Sequence, residues 1–205
     1  MPGTHFFADM VDLVLRLPVD VHQLRLLERC IQSSREDKMQ KYFRDPVTDL
    51  FTQEYYLTQL EQAIERARRR RDYLFSAIVF SPDPELMFNY RLNEVELNKV
   101  LVIIASRLTR YLRPTDTLAR LYDETFATLH DDIKQPEDAL VIAQRILEKL
   151  SAPYDIREEP AVLSFSLGVV ANAREYQNPG EILSQAEKKM EAIRKAGGNR
   201  FELVD

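Results

Sequence analysis

Residues 113–130 read Arg113-Pro-Thr-Asp116, Thr117-Leu-Ala-Arg-Leu121, Tyr122-Asp-Glu-Thr-Phe126 and Ala127-Thr-Leu-His130. Residues 117–121 and 126–130 predict two strands joined by a tight turn over residues 122–125. Helical and strand patterns extend outward from this hairpin. Upstream, residues 93–111 predict a helix with Val100, Leu101, Ile104 and Leu108 inward. Residues 73–81 are a continuous apolar run, the mark of a central strand, ended by Pro82 and Pro84. Thr52 is placed to cap a helix running to about residue 70, with Leu57, Leu60, Ile64 and Ala67 inward. Asp45-Pro46 breaks the preceding pattern, because proline removes a donor and restricts the residue before it.

Downstream, Pro136 sits near the start of a helix running to about residue 150. Residues 162–171 predict a strand alternating around Phe165, Leu167 and Val169. Pro179 starts the last long helix and Gly197-Gly198 stops it. Residues 201–204 can add an edge strand. The order helix, strand, helix, hairpin, helix, strand, helix, strand predicts an α+β (α/β sandwich) domain, with a central mixed sheet surrounded by helices.

Residues 1–44 form an expected extension before a domain spanning 45–205. Val11-Asp-Leu-Val-Leu-Arg-Leu17 is apolar and ends at Pro18; Asp20 then opens a helix with Leu24, Leu27 and Ile31 on one face. Strand, Arg-Leu-Pro and helix resemble the last strand and helix of a two-component receiver domain, as in response regulators. A signalling helix that packs or dimerises fits the same residues equally well.

The net charge of −5 argues against a general nucleic-acid binder, whose phosphate contacts need a basic surface. Cys30, the single cysteine, allows no internal disulfide and fits a reducing cytosol. No apolar run approaches the roughly 20 residues that span a bilayer. Met1-Pro-Gly-Thr-His-Phe-Phe7 lacks the basic start of a signal peptide. These features predict a soluble, cytoplasmic protein without membrane or nucleic-acid partners. His5, His22 and His130 are scattered and suggest no metal cluster.

Several motifs in order resemble GGDEF domains, the bacterial enzymes that make cyclic di-GMP. Asp45-Pro-Val-Thr-Asp-Leu-Phe51 resembles the family's opening Asp-x-Leu-Thr-Gly-Leu, with Asp49 replacing glycine. Tyr122-Asp-Glu-Thr-Phe126 stands where the family has Gly-Gly-Asp/Glu-Glu-Phe. Ser164-Phe-Ser-Leu-Gly168 resembles its Ser-x-Gly strand. Ala186-Glu-Lys-Lys-Met190 and Gly198-Asn-Arg200 resemble its final helix and turn. The resemblance covers about residues 45 to 205 and implies the GGDEF, nucleotidyl-cyclase-like fold.

The resemblance also implies a chemistry that this chain departs from. The family joins two GTP molecules, each held by one domain of a dimer, and needs divalent metal held by carboxylates. Ser81 replaces the carboxylate that ends the first core strand, and Glu124 keeps the second. Asp83 and Glu85 are close in sequence and could rescue a metal site. Tyr122 and Asp123 replace the two glycines, which adopt positive φ cheaply and admit the triphosphate. Thr125 replaces a glutamate. Asn89 matches the guanine-binding asparagine, Asn98 replaces its partner aspartate, and Arg194 corresponds to the phosphate-binding lysine. The expectation is a vestigial active site with no metal and no required cofactor.

The family's product-binding motif, RxxD, is intact as Arg113 and Asp116. Arg145 stands at the second arginine of that site, and Arg66 and Arg68 lie where a neighbouring domain's arginine often bridges the ligand. Guanidinium forks suit guanine O6 and N7 and phosphate, and a carboxylate suits guanine N1–H and N2–H₂. These residues predict a non-catalytic cyclic di-GMP receptor working with a signalling partner, with a homodimer plausible. The alternatives are a scaffold that binds no nucleotide, a residual diguanylate cyclase and a GTP-binding sensor without turnover.

Overall fold

The computed structural model describes residues 43–84, 91–157 and 159–204. The strand and helix expected within residues 11–42 lie outside the described residues, as do His5, His22, Cys30, Glu85 and Asn89. In chain order the elements are α1 (Gln53–Arg69), β1 (Leu74–Pro82), α2 (Glu94–Thr109), β2 (Thr117–Tyr122), β3 (Thr125–Ile133), α3 (Asp138–Leu150), β4 (Tyr154–Ile156), β5 (Glu159–Ala161), β6 (Phe165–Val170), a short 3₁₀ turn (Ala173–Glu175), α4 (Pro179–Lys195) and β7 (Arg200–Leu203). The main sheet has the order β2-β3-β1-β6-β7. Its pairs are antiparallel except β6 with β7, so the sheet is mixed.

The apolar run at residues 73–81 becomes the central strand, and every residue of β1 after Leu74 is buried. Alternate side chains serve opposite faces. Phe75, Ala77 and Val79 pack with Tyr56, Leu60 and Ile64 of α1 and with Ile182 and Met190 of α4. Ile78 and Phe80 pack with Leu101, Ile104 and Leu108 of α2 and with Ala143 and Ile146 of α3. A strand covered on both faces has no polar side to show in its sequence.

Several local expectations need correction. Thr52 occupies the cap position of α1, but its hydroxyl makes no cap bond and is buried without a partner. Leu57 is half-buried and packs against the core, and the fully buried Tyr56, not expected from the sequence, joins it. The Tyr56 hydroxyl donates to the Thr128 carbonyl at 3.1 Å. α2 starts one residue later than expected, because Asn93 caps it. Asn93 Oδ1 accepts from Glu96 N–H and Asn93 N–H donates to Glu96 Oε2, each at 3.0 Å, a capping box. The strand expected at 162–171 covers only Phe165–Val170, and all its residues are buried. The β4–β5 pair, unexpected from the sequence, takes Ala161. The hairpin turn is shorter than expected, holding only Asp123 and Glu124 between Tyr122 and Thr125.

Gly168 makes close packing of β6 against α4 possible. A Cβ at this position would lie 2.0 Å from the Ala186 carbonyl oxygen and 2.8 Å from Met190 N.

Candidate functional site

The two groups of candidate residues lie at opposite ends of the sheet. Phe80 near the end of β1 pairs with Phe126, placing the Asp123–Glu124 turn at that end. Ser76 near the start of β1 pairs with His130, placing the Asp116 region at the other. Six residues of strand separate Glu124 from His130, a span of about 20 Å.

At the turn end, Ser81 is buried and its hydroxyl donates to the Pro82 carbonyl at 3.2 Å. Asp83 is also buried. Its carboxylate accepts from Ser166 Oγ at 2.5 Å and from Asn199 N–H at 2.9 Å. Asp83 therefore ties the end of β1 to β6 and to the turn that enters β7. Glu124 is half-buried, with no side-chain hydrogen bond or ion pair among the described residues. No cluster of three or more His, Cys, Asp or Glu side chains suited to a metal occurs among the described residues. Among the described residues, a hard divalent cation at this end would meet one uncommitted carboxylate, Glu124, beside an engaged hydroxyl, and would draw its remaining oxygen ligands from water or a bound phosphate.

The turn keeps left-handed geometry without glycine. Asp123 has φ 42°, a region that aspartate visits more readily than most residues. Arg120 braces it. Its Nε donates to the Asp123 carbonyl at 2.8 Å, and its Nη1 reaches both oxygens of Asp45 at 3.1 and 3.2 Å. Burial pushes the Asp45 carboxyl up, but the Thr48 hydroxyl and amide and the Arg120 guanidinium hold it below its ordinary value. Tyr122 is half exposed, and its hydroxyl donates to Glu187 Oε1 of α4 at 3.0 Å. Partial burial and the Glu187 charge raise the Tyr122 pKa. Thr125 is buried at the start of β3. Arg194, also on α4, pairs with Glu191 at 3.1 Å. Asn98 lines a separate open groove of about 1030 Å³ with Val47, Val95, Val102, Ile156 and Arg157. Arg157 grips Glu96 with two bonds, at 2.6 and 2.7 Å, and holds that carboxyl down at about 2.

At the opposite end, Arg113 lies exposed in the turn before β2; Arg145 is exposed on α3. Neither guanidinium has a hydrogen bond or ion pair among the described residues. Asp116 lies beneath this turn, with its side chain only 7% exposed. Its Oδ2 accepts from Arg113 N–H at 3.1 Å and lies 3.5 Å from His130 Nδ1. Burial pushes this carboxyl up, but the His130 ring and the Arg113 and Asp131 amides hold it below its ordinary value.

Asp131 links this region to α1. Its carboxylate pairs with Arg66 at 3.1 Å and accepts a short hydrogen bond from the Tyr73 hydroxyl. Arg66 and Asp116 thus meet the same stretch of β3. Arg68 instead binds Glu65 at 2.5 Å and the Gln177 carbonyl at 3.5 Å. Sequence reasoning missed His130, Asp131 and Glu187 as partners in these networks. Strand alternation, which puts Phe126, Thr128 and His130 on one face of β3, was the signal available for His130.

No helix among the described residues is long and apolar enough to cross a membrane. Residues 42–200 match the sequence model described as "Diguanylate cyclase, GGDEF domain". The chain is 29% identical over 182 residues to diguanylate cyclase DgcP of Pseudomonas aeruginosa, covering 86% of this chain and 26% of that protein. It is 30% identical over 158 residues to diguanylate cyclase TpbB of the same species, covering 76% of this chain and 36% of that protein. The chain therefore spans about a third or less of these curated relatives. The solved GGDEF domain of TpbB (YfiN) from Pseudomonas aeruginosa superposes with a TM-score of 0.72 at 26% identity, covering 79% of this chain and 94% of that one. Matched across most of its length and sharing the mixed sheet and four flanking helices, the chain belongs to the GGDEF family.

Proposed function

We propose that this domain is a receptor for cyclic di-GMP in bacterial second-messenger signalling and does not synthesise it. The observation that carries this reading is the contrast between the two ends of the sheet. At the turn end the Glu124 carboxylate is uncommitted, but the other candidates are engaged elsewhere: Ser81 with Pro82, Asp83 with Ser166 and Asn199, Tyr122 with Glu187, and Arg194 with Glu191. The Arg113 guanidinium at the other end, and the Arg145 guanidinium on α3, are exposed and free of partners among the described residues. Such forks suit guanine O6 and N7 and the phosphates of a cyclic dinucleotide. Arg66 and Arg68 give the ligand a second basic surface through which to reach a neighbouring element or domain. A cytoplasmic setting and a protein partner or homodimer that reads the bound state complete the proposal.

Calorimetry with cyclic di-GMP tests the reading. Binding in the micromolar range or tighter is expected, lost in Arg113→Ala and weakened in Arg145→Ala. No heat at millimolar ligand would leave a scaffold that binds no nucleotide. Incubation with GTP and Mg²⁺ or Mn²⁺ tests the second half: product that disappears in Glu124→Ala would identify a working cyclase.

A further inference from the structure

Two groups meet the buried Asp116 carboxylate at Oδ2, one hydrogen-bonded at 3.1 Å and one facing it at 3.5 Å. The Arg113 amide comes from its own turn, and the His130 ring comes from β3. His130 is 2% exposed, and its Nε2 lies 2.9 Å from Thr128 Oγ1, which is fully buried. Chemistry assigns the protons. An ionised carboxylate only accepts, so the nitrogen facing Asp116 must carry a proton. With the ring neutral, Nε2 then accepts from the Thr128 hydroxyl. A directed chain results, in which Thr128 donates to His130 and the His130 Nδ1–H faces Asp116 Oδ2 at 3.5 Å.

We infer that His130 is a positioning residue for the Arg113-x-x-Asp116 turn, fixing the Asp116 carboxylate and, through it, the backbone that presents Arg113 to an anionic ligand. This rests on the receptor reading of the same site. His130 itself stays out of the ligand's reach. Its effect passes through Asp116 Oδ2, which also accepts from the Arg113 amide. Without the ring N–H, the buried carboxylate loses one of the two groups that meet Oδ2. It then gains by swinging toward water, and that movement frees the Arg113 amide.

Two near-isosteric substitutions separate positioning from simple stability. In His130→Asn the amide nitrogen replaces Nδ1 and keeps the donor to Asp116. In His130→Gln the amide replaces Nε2, keeping Thr128 and losing Asp116. Each variant gives up one ring contact. Cyclic di-GMP titration should leave His130→Asn near wild type and weaken His130→Gln about tenfold, the equivalent of one hydrogen bond to a charged group. In the free protein, hydrogen exchange at the Arg113 amide should accelerate by a similar factor in His130→Gln alone. Equal affinities and equal exchange in the two variants would overturn the inference. If wild type binds no cyclic di-GMP, the receptor reading fails, and the exchange pattern decides alone whether His130 positions the turn.

Discussion

Gly168→Ala places one methyl group against the backbone of α4. The new Cβ would lie 2.0 Å from the Ala186 carbonyl oxygen, although real contacts of this kind are essentially never shorter than 3.0 Å. The obstacle is main chain in mid-helix, so no side-chain rotation relieves it. Helix and strand must separate by about 1 Å, which loosens Ile182, Ala186 and Met190, all buried against the sheet. Overpacking that side chains can absorb costs about 1–3 kcal/mol, and a backbone clash belongs at the top of that range or above it. We expect a loss of about 3 kcal/mol, a large share of the roughly 5–15 kcal/mol of a typical domain. Urea unfolding followed by circular dichroism measures it. With a slope of about 2 kcal/mol/M, the midpoint should fall by about 1.5 M. A fall of less than about 0.5 M with an unchanged slope would refute the reasoning, since α4 would then have room to spare. Ligand binding around Arg113, at the far end of the sheet, should persist wherever the variant remains folded.

Asp123→Gly should stabilise the fold by about 0.5–1 kcal/mol in the same assay, because glycine holds positive φ without strain, while Asp123→Val should destabilise it. Asp45 and Asp116 both have folded pKa values below the ordinary 3.8, so the unfolded chain binds more protons than the native one in acid. Their contribution is present above about pH 4 and is lost as pH falls through the lowered values, so the urea midpoint should drop progressively as the pH falls below about 4. Asp45→Asn should lower the midpoint at pH 7 by the equivalent of about 2 kcal/mol, since it leaves Arg120 partly buried without its carboxylate, and it should flatten the acid dependence. Tyr122→Phe should cost no more than about 1 kcal/mol, because the lost bond to Glu187 is partly exposed, and thermal melting is the check.

The sheet and its covering helices were legible because their signals are local. The run through β1, Pro179 and Gly197-Gly198 around α4, and the two β-rich halves of the hairpin each declare themselves within a few residues. β4 and β5 escaped notice because three-residue strands are too short to show a period. Just before β4, Arg107 of α2 reaches the Ala152 and Pro153 carbonyls, a contact between distant segments that no local pattern shows. Thr52 misled because a cap is recognised by residue type, whereas the bond depends on where the neighbouring loop places the hydroxyl. The departures at Ser81, Asn98 and Tyr122–Thr125 were visible by position alone. Their partners, Glu187 of α4 for Tyr122 and Ser166 with Asn199 for Asp83, lie far along the chain.

By itself the sequence determined the order of elements, the family pattern and the residue types at each motif position, because periodicity and turn chemistry act between neighbours in the chain. Tertiary structure alone decided what those residues touch. It turned Asp83 into a strut, gave Asp123 a left-handed turn braced by Arg120, and buried Asp116 under the turn it anchors, facing His130. It also separated the two groups of site residues by the length of β3. The physical reason is that a carboxylate's role follows from the donors around it. Those donors are assembled from segments that only the folded sheet brings together.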